Sequence, residues 1–393
     1  MPWKVSGVME QRKQFVAEYA SGDWTMTDLC RVFNISRPTG YELLRRYAAC
    51  GEPGLREQSR APERHPNQMS AKVEQTVLQL RREHPRWGPR TLRARLQTLQ
   101  PAVAWPAAST IGSLLDREGL TRHRRKRRKT DPYTRPLAAA TEPNRIWCAD
   151  FKGWWRTRDG ERIDPLTITD AHSRYLLRCQ AVEKMDTVGV RAIFEAAFRE
   201  CGLPLAIRTD NGAPFASRAI AGLSRLSVWW MKLGIEPERI GLGHPEQNGR
   251  HERMHRTLAE EVAQPPAANR RAQQRAMDRF RRVFNEERPH QALQMRTPSS
   301  CYQPSSREYP VRVREPEYGS ALRVRRVRCS GDFSWANNNI FLSEVLEGEP
   351  IGLLPLDDRY FRIYFAEFPL ARFDSHTRRI QRLRPEDNGT RPA

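Results

Sequence analysis

The sequence predicts a mixed α/β core that is preceded by short helical modules and followed by a small β-rich region. From Asn144 onward, three strand-like runs, a helix, a short strand and further helices follow one another. Before that point, apolar residues recur at helical spacing. Past about Pro304 the chain has many prolines and short alternating runs that are typical of strands. These three observations divide the chain into an all-α part, an α/β part and a β-rich part.

The charge balance limits the classes of partner. The 393 residues carry 67 Lys and Arg against 46 Asp and Glu, a formal net charge of +21. Such an excess favours a polyanionic partner, and nucleic acid fits because neutralising its phosphates releases counterions. No apolar run is long enough to cross a bilayer, and Met1 to Gln11 contain no signal-peptide core. We therefore expect a cytoplasmic, nucleoid-associated protein that has no membrane partner.

The seven cysteines do not indicate a zinc finger or a disulfide framework. They are scattered along the chain, and none forms a C-x-x-C pair. We therefore expect reduced thiols, and DNA binding by other means than zinc.

Residues 1–55 are predicted to form a helix-turn-helix DNA-binding domain. Thr25 or Thr27 can cap the second helix, and Ser36 can cap the third, with Asn34 in the turn between them. The apolar faces are predicted from Val8, Phe15, Val16 and Tyr19 on the first helix, from Leu29, Cys30, Val32 and Phe33 on the second, and from Tyr41, Leu44 and Tyr47 on the third. The side chains left for DNA are Arg37, Thr39, Arg45 and Arg46. A plain helical bundle with solvated charges is the alternative.

Residues 70–120 are predicted to form a second helix-turn-helix-like domain, and residues 121–143 a basic linker. The expected helices are Ala71–His84, Pro89–Leu99 and Ala108–Glu118. The linker holds a block of like charge that repels itself when free. We expect this block to follow DNA phosphates, whereas a solvated linker is the alternative. Its predicted DNA-binding residues are Arg124, Arg125, Lys126, Arg127 and Arg128.

Two aspartates occupy unusual positions in the α/β part. Asp150 lies inside the apolar run Ile146–Phe151, and Asp210 follows the short apolar strand Leu205–Thr209. An unpaired carboxylate at such a position is costly unless a cation is present. Strand ends are also where α/β sheets bind ligands. Hard carboxylates without Cys or His favour Mg²⁺ or Mn²⁺, so the sequence predicts a divalent-metal site.

Four stretches of the chain resemble the DDE transposases of bacterial insertion sequences, which are relatives of retroviral integrases. The matching stretches are Trp147–Phe151, Arg208–Phe215, Pro245–Arg253, and Arg288-Pro289-His290 followed by Thr297-Pro298. The strand-like runs past about Pro304 predict a β-rich basic domain over residues 304–393. The resemblance covers about residues 144–302, and it implies a ribonuclease-H-like integrase catalytic core there. It also implies a transposase that binds transposon-end DNA and catalyses strand cleavage and strand transfer.

The same resemblance implies the site residues and the partners. Asp150, Asp210 and Glu252 are the implied catalytic residues, and they would hold two Mg²⁺ (or Mn²⁺) ions. Double-stranded DNA, as transposon ends and as target, is the implied substrate. Because an element has two ends, we expect at least a dimer on DNA. Arg253 and Arg256 share the helix of Glu252 and could hold the DNA backbone, although simple solvent exposure also accounts for them.

The choice of glutamate rests on local sequence. The family often has 35 residues between its second Asp and its Glu, a spacing that Glu246 meets, whereas 41 residues separate Asp210 from Glu252. The local pattern from Pro245 through Gly249 nevertheless places the glutamate at position 252. Glu252 is also expected on a helix, which preorganises a ligand better than the loop expected around Glu246. The extra residues fit an insertion around Leu223–Trp230.

Two other functions are compatible with parts of the sequence. His251-Glu252-Arg253-Met254-His255 spells the H-E-x-x-H motif of zinc metalloproteases. A protease would leave Asp150, Asp210 and the helix-turn-helix modules without a role. A sequence-specific DNA-binding protein with an inactive core is the second alternative, and the three acidic residues argue against it.

Overall fold

The computed structural model describes residues 7–57, 69–121, 139–217, 219–240 and 249–383, apart from the side chain of Arg250. The chain divides into two compact units, Met1–Gln68 and Met69–Ala393. The α-helices of the described residues are α1 (Val8–Ala20), α2 (Met26–Val32), α3 (Arg37–Cys50), α4 (Ala71–Glu83), α5 (Pro89–Leu99), α6 (Ala108–Arg117), α7 (Thr187–Cys201), α8 (Arg225–Lys232), α9 (Gly249–Val262) and α10 (Arg270–Arg282).

The strands belong to two regions. Those of the α/β part are β1 (Ile146–Phe151), β2 (Trp155–Arg156), β3 (Arg162–Asp170), β4 (Leu176–Val182), β5 (Ala206–Thr209) and β6 (Glu236–Arg239). Those of the C-terminal part are β7 (Arg323–Arg326), β8 (Asp332–Trp335), β9 (Asn338–Phe341), β10 (Pro350–Pro355), β11 (Tyr360–Phe365), β12 (Phe368–Asp374) and β13 (Arg379–Gln381).

The first unit is the predicted three-helix arrangement. The Thr25 side chain accepts a hydrogen bond from the backbone of Asp28, and Ser36 accepts one from Thr39, so both predicted caps are present. Asn34 adopts the predicted left-handed conformation with φ 51°. Short Asn side chains tolerate this conformation, which lets the chain turn sharply between α2 and α3.

For several residues of the first unit, the prediction that they face inward was wrong. Tyr41 and Tyr47 are exposed, and α3 instead turns Gly40 and Leu43 inward. The other predicted core residues that lie at the surface are Val8, Tyr19 and Val32. Gly40 is the point of closest approach: a Cβ there would lie 2.8 Å from Cys30 Sγ and 2.9 Å from Phe15 Cζ. The helices pack so closely because this position has no side chain.

Substituting Gly40 by Ala is expected to destabilise the first unit by about 1–3 kcal/mol, because the added methyl overpacks the contact. Faster amide hydrogen exchange in peptides from α1 to α3 of the full chain would report the loss. Gly112→Ala in α6 is the matched control, since its Cβ would meet Pro89 Cγ at an ordinary 3.6 Å. That change should stabilise its helix by roughly 0.5–1 kcal/mol. Equal slowing of exchange in both variants would contradict the packing argument.

The helices α4, α5 and α6 pack around a small core of their own, and this module also contacts the α/β part. Arg86 lies 3.7 Å from Glu260 on α9, and Arg95 lies 3.5 Å from Glu287 after α10. Val283 packs against the module's apolar core. Two arginines that the sequence placed in a DNA-reading unit therefore pair with acidic groups of the same chain.

The α/β part is a mixed sheet with helices on both faces. The strands pair in the order β2-β3-β1-β5-β6, and β4 also pairs with β3. Strand β1 is antiparallel to β3 and parallel to β5, and β5 is parallel to β6. Apolar residues of α7 and α8 cover one face, and those of α9 and α10 cover the other. The sheet is therefore the middle layer of three, with its apolar side chains buried on both faces.

The segment after β5 is helical over only part of its length. The sequence pattern of residues 216–233 is typical of one helix, but α8 begins only at Arg225, where Ser224 and Ser227 form a reciprocal capping box. Strand β6 was not predicted, because Glu236-Pro237-Glu238 has none of the apolar residues of a typical strand. It nevertheless pairs with β5, and Arg208 on β5 donates to Glu238 across the pair at 2.6 and 2.9 Å.

The region after α10 holds a buried histidine. The Nε2 atom of His290 lies 3.3 Å from the Phe284 carbonyl oxygen. Burial lowers the pKa of His290 to about 4, with a smaller contribution from the nearby Arg288 charge. The unfolded value is about 6.5, so between these values the unfolded chain binds a proton that the folded chain excludes. Stability from this residue is thus lost as the pH falls from about 6.5 towards 4.

Substituting His290 by Gln is expected to remove that loss. The amide nitrogen of Gln can still donate to Phe284, but it does not titrate. In urea unfolding at pH 7, 6 and 5, the wild type should lose about 1.4 kcal/mol per pH unit below 6.5 relative to the variant. The carboxylates titrate in both proteins, so their contribution cancels in the difference between the two free energies of unfolding. Parallel stability curves would show that His290 does not carry the effect.

The C-terminal part is β-rich, as predicted. A five-stranded antiparallel sheet has the order β13-β12-β11-β10-β7, and β8 and β9 form a separate hairpin. Its core includes Leu223, Val228 and Met231 from the α8 region. Lys232 at the end of α8 contacts both carboxylate oxygens of Glu349, at 2.8 and 3.0 Å. Helix α8 thus contributes apolar residues to two separate cores, that of the α/β part and that of the C-terminal sheet.

None of the helices in the described residues has both the length and the apolar character needed to span a membrane. All seven cysteines are free thiols, of which Cys50 and Cys329 are exposed.

Candidate active site

Asp150 and Asp210 end two neighbouring parallel strands. The β1–β5 register pairs Trp147 with Ile207 and Cys148 with Arg208. Continuing that register by two residues sets Asp150 opposite Asp210. Neighbouring strands lie about 4.8 Å apart, so this register brings both aspartates to the same end of the two strands. The Asp150 side chain is 17% exposed, which leaves it open to a small ligand.

The turn after β5 holds the Asp210 side chain. The backbone N–H of Gly212 donates to Asp210 Oδ1 at 3.2 Å. A Cβ at Gly212 would lie 3.1 Å from Asp210 Oδ2, so glycine leaves room for the carboxylate. The Asn211 side chain donates to the Ile240 carbonyl at 3.1 Å and ties this turn to the end of β6. The Asp-Asn-Gly sequence therefore shapes a tight, defined turn.

Glu252 lies in the first turn of α9, on its exposed side. The opposite side of α9 is buried against the sheet, with His251 and His255 turned towards β3. His255 Nδ1 lies 3.9 Å from Asp150 Oδ2. Residues three apart on a helix are neighbours about 5–6 Å apart at Cβ, so Glu252 lies within one helical turn of His255.

Both histidines meet one hydroxyl group. Thr167 Oγ1 lies 2.5 Å from His251 Nε2 and 2.7 Å from His255 Nε2. It also lies 3.2 Å from the carbonyl oxygen of Asp150, which is its direct partner across β1 and β3. Burial lowers the pKa of His251 to about 3 and that of His255 to about 2. Both rings are therefore neutral at neutral pH.

Within the described ranges, no three His, Cys, Asp or Glu side chains are close enough to one another to hold a metal ion. The donor chemistry of Asp150, Asp210 and Glu252 is nevertheless that of a hard divalent cation, because all their donor atoms are carboxylate oxygens. Three such groups repel one another until a cation is bound. The exposed position of Glu252 leaves its long side chain free to adjust. The three residues therefore fit a divalent metal by the chemistry of their donor atoms, whereas their described side chains do not surround one point.

The zinc site of the H-E-x-x-H alternative is not formed. Two imidazole nitrogens that could bind zinc are directed at the Thr167 hydroxyl instead. Zinc also requires further His, Cys or carboxylate ligands, and the part of the chain that the structure describes offers no such group. The two histidines of this motif are buried parts of the α9–β3 contact.

The structure places other predicted residues as follows. Arg37, Thr39 and Arg45 are exposed on α3, but Arg46 is half-buried and donates to the Arg56 carbonyl. Arg253 and Arg256 are exposed on α9. Two sets lie outside the described residues, namely the basic block Arg124, Arg125, Lys126, Arg127 and Arg128, and the rival glutamate, Glu246.

Asp170 is the last residue of β3 and lies away from Asp150. It pairs with Trp147, three residues before Asp150, and is almost fully buried. Its carboxylate accepts hydrogen bonds from the backbone of Asn144 at 2.8 Å and from the backbone of Ser173 at 2.7 Å. It therefore stabilises the start of β1 and the β3–β4 turn.

Comparison with protein families identifies the domains of this arrangement. Residues 140–245 and 233–298 match two families that are both described as integrase core domains. Residues 11–63 match a helix-turn-helix domain, and residues 39–115 match a homeodomain-like domain. The chain thus carries an integrase core domain preceded by helix-turn-helix domains, which confirms the fold and the resemblance predicted from the sequence.

The chain is similar to two proteins of bacterial insertion elements. It is 30% identical over 179 residues to the insertion element IS407 uncharacterized 31.7 kDa protein of Burkholderia multivorans, which is 45% of this chain and 62% of that relative. It is 27% identical over 278 residues to the insertion element IS476 uncharacterized 39.2 kDa protein of Xanthomonas euvesicatoria, which is 70% of this chain and 75% of that relative. The chain thus spans less than two thirds of the first relative.

Solved integrase structures give weaker similarities. The catalytic core domain of HTLV-2 integrase in complex with magnesium aligns with 42% of this chain and 99% of its own, at 18% identity and a TM-score of 0.31. A simian T-cell lymphotropic virus intasome in complex with a PP2A regulatory subunit aligns with 73% of this chain and 92% of its own, at 16% identity and a TM-score of 0.37. The fold assignment therefore rests on the strand order and the domain matches.

Proposed function

We propose that this protein is a DNA transposase that binds transposon-end DNA and catalyses metal-dependent strand cleavage and strand transfer. The observation that carries the proposal is the pair Asp150 and Asp210 at the ends of adjacent parallel strands, beside the helix of Glu252. This pair lies in an integrase core domain, and the similar proteins come from insertion elements. The carboxylate pair, the integrase core domain and the insertion-element relatives all support a reaction on DNA.

The three carboxylates would hold divalent metal, two Mg²⁺ or Mn²⁺ ions in our proposal. When bound, such ions activate the attacking oxygen and stabilise the leaving 3′ oxygen of a phosphodiester. In the first step a water oxygen bonds to phosphorus, and the bond to the 3′ oxygen breaks. In the second step the oxygen of the freed 3′ hydroxyl bonds to a phosphorus of the target, the bond from that phosphorus to its own 3′ oxygen breaks, and the proton passes to the oxygen that leaves. The same site would thus perform both reactions.

Other parts of the chain would bind the DNA. The exposed Arg253 and Arg256 flank Glu252 on α9 and can contact phosphates beside the cleavage site. On α3, the exposed Arg37, Thr39 and Arg45 lie where a recognition helix contacts base edges. An element has two ends, and we therefore propose that at least two copies of the chain assemble on DNA.

The direct test uses a supercoiled plasmid that carries both ends of the element. Nicked or linear product should form with Mg²⁺ or Mn²⁺, and it should require the ends and be absent in EDTA. Tight binding to the ends without cutting in either metal would overturn the enzymatic proposal. That result would favour the alternative, a sequence-specific DNA-binding protein with an inactive core.

A further inference from the structure

The cleavage mechanism gives no role to His251 and His255, although they are among the most deeply buried polar residues. Their exposed fractions are 3% and 6%. Both lie on the face of α9 that packs on the sheet, and His251 directly precedes Glu252. Burying two polar rings is costly unless their nitrogens are hydrogen bonded. Their partner is the single hydroxyl group of Thr167.

Thr167 has one hydrogen, and its hydroxyl donates it to the carbonyl oxygen of Asp150 at 3.2 Å. The Thr167 oxygen can then accept from the Nε2–H groups of both neutral rings. Thr169 Oγ1 lies 3.3 Å from His251 Nδ1 and can donate to that nitrogen. The Thr167 hydroxyl therefore links both rings of α9 to the backbone of Asp150.

We propose that His251 and His255 are positioning residues, which hold the helix of Glu252 against the strand of Asp150 through the hydroxyl group of Thr167. The contact of the two histidines with Thr167 is called the clip below. The inference rests on the proposed function, because it assigns these residues to the spacing of the metal-binding carboxylates. Thr167 stands directly opposite Asp150 in the β1–β3 register, so the clip joins α9 to the position beside that aspartate.

The distance of 3.9 Å between His255 Nδ1 and Asp150 Oδ2 shows what the clip does and does not do. It exceeds a direct hydrogen bond, so His255 is not a ligand and does not fix Asp150 by a short contact. The contacts of both rings with Thr167 instead fix how far α9 lies from β1. Residues that orient metal ligands in this way typically contribute about ten- to a hundredfold to metal affinity. The expected signature is therefore weaker metal binding with unchanged DNA binding.

The test compares Thr167→Val with Thr167→Ser in the full chain. Val keeps the shape but removes the hydroxyl, whereas Ser retains it. The Mn²⁺ dependence of the melting temperature gives an apparent dissociation constant without any need for catalysis. We expect that constant to rise about ten- to a hundredfold in Thr167→Val and to stay near the wild-type value in Thr167→Ser. Affinity for end DNA should not change in either variant.

Thr157→Val is the matched control. Thr157 is also a buried threonine, but it lies in the β2–β3 turn, where its hydroxyl donates to Asp159 Oδ1 at 2.5 Å. Its metal response should equal that of the wild type. An unchanged metal response in Thr167→Val would overturn the proposal, and so would an equal weakening in Thr157→Val.

Two substitutions of His255 give a second test, which holds even if Thr167→Val folds poorly. Gln can place its amide nitrogen near the Nε2 position and keep the contact with Thr167, whereas Asn reaches only the Nδ1 position. His255→Asn should therefore weaken Mn²⁺ binding more than His255→Gln, and equal effects would contradict the clip. Weakened metal binding in a protein that cuts no plasmid would leave the clip intact and reject the transposase proposal.

Discussion

Substituting Glu252 by Gln is expected to reduce DNA cleavage about a thousandfold. The change keeps the size of the side chain but removes its charge, and a neutral amide is a poor ligand for a hard divalent cation. Metal assistance lowers the barrier of phosphoryl transfer by several kcal/mol, and each 1.4 kcal/mol corresponds to a tenfold change in rate. The measurement is the rate of nicking of an end-bearing plasmid at saturating Mg²⁺.

Glu246→Gln is the matched control for this prediction. Both variants lose one negative charge from the same short stretch of chain, so any general effect on DNA binding should be shared. We expect Glu246→Gln to cleave within a few-fold of the wild type, and both variants to bind end DNA normally. Full activity in Glu252→Gln together with its loss in Glu246→Gln would transfer the role to Glu246, whose 35-residue spacing from Asp210 is the more common one in the family.

The succession of strands and helices along the α/β part was largely predictable because the two kinds of element differ in period. The runs that became β1, β3 and β4 have the short, apolar character of strands, and α7 shows a clear helical period. Strand β6 was not predictable in this way, since it is an edge strand with two glutamates. It pairs because β5 offers free backbone groups and because Arg208 neutralises Glu238. Neither condition can be seen in the segment itself.

Helix faces were predicted less well than helix positions. In α3 the aromatic residues Tyr41 and Tyr47 suggested the inner face, but Gly40 determines the packing. A hydrophobicity pattern gives glycine little weight, whereas the three-dimensional contact depends on its missing side chain. The exposed Tyr41 consequently joins the surface of α3 that also carries Arg37 and Arg45.

The candidate site was predictable only in part. Asp150 and Asp210 could be selected because a carboxylate is costly in or after an apolar strand. The parallel β1–β5 pairing then explains why two aspartates 60 positions apart in number lie together. The contact of Thr167 with His251 joins residues 84 positions apart on a strand and a helix. The H-E-x-x-H spacing showed that both histidines share one helix face, but a single sequence gives no means of finding their partner.

Substituting Trp147 by Ala is expected to destabilise the second unit by about 3–5 kcal/mol, the range for large aromatic residues in a core. Trp147 is fully buried in β1, and its Nε1 donates to Asn144 Oδ1 at 3.0 Å. Its ring packs on that of Phe198, with the two ring centroids 5.7 Å apart. A domain's total stability is only about 5–15 kcal/mol, so this is a large fraction. Urea unfolding of the full chain measures the loss.

Trp154→Ala is the matched control, since it removes the same side chain four residues beyond Asp150. Trp154 is 56% exposed, and its main contact is the guanidinium of Arg162, 5.1 Å from the ring centroid. An exposed contact of this kind contributes about 0.5–1 kcal/mol. Because Trp147 anchors the strand that presents Asp150, its loss should also weaken Mn²⁺ binding, whereas the loss of Trp154 should not. Similar stability losses in the two variants would show that β1 is not held by the Trp147 contacts, and the position of Asp150 would then need another support.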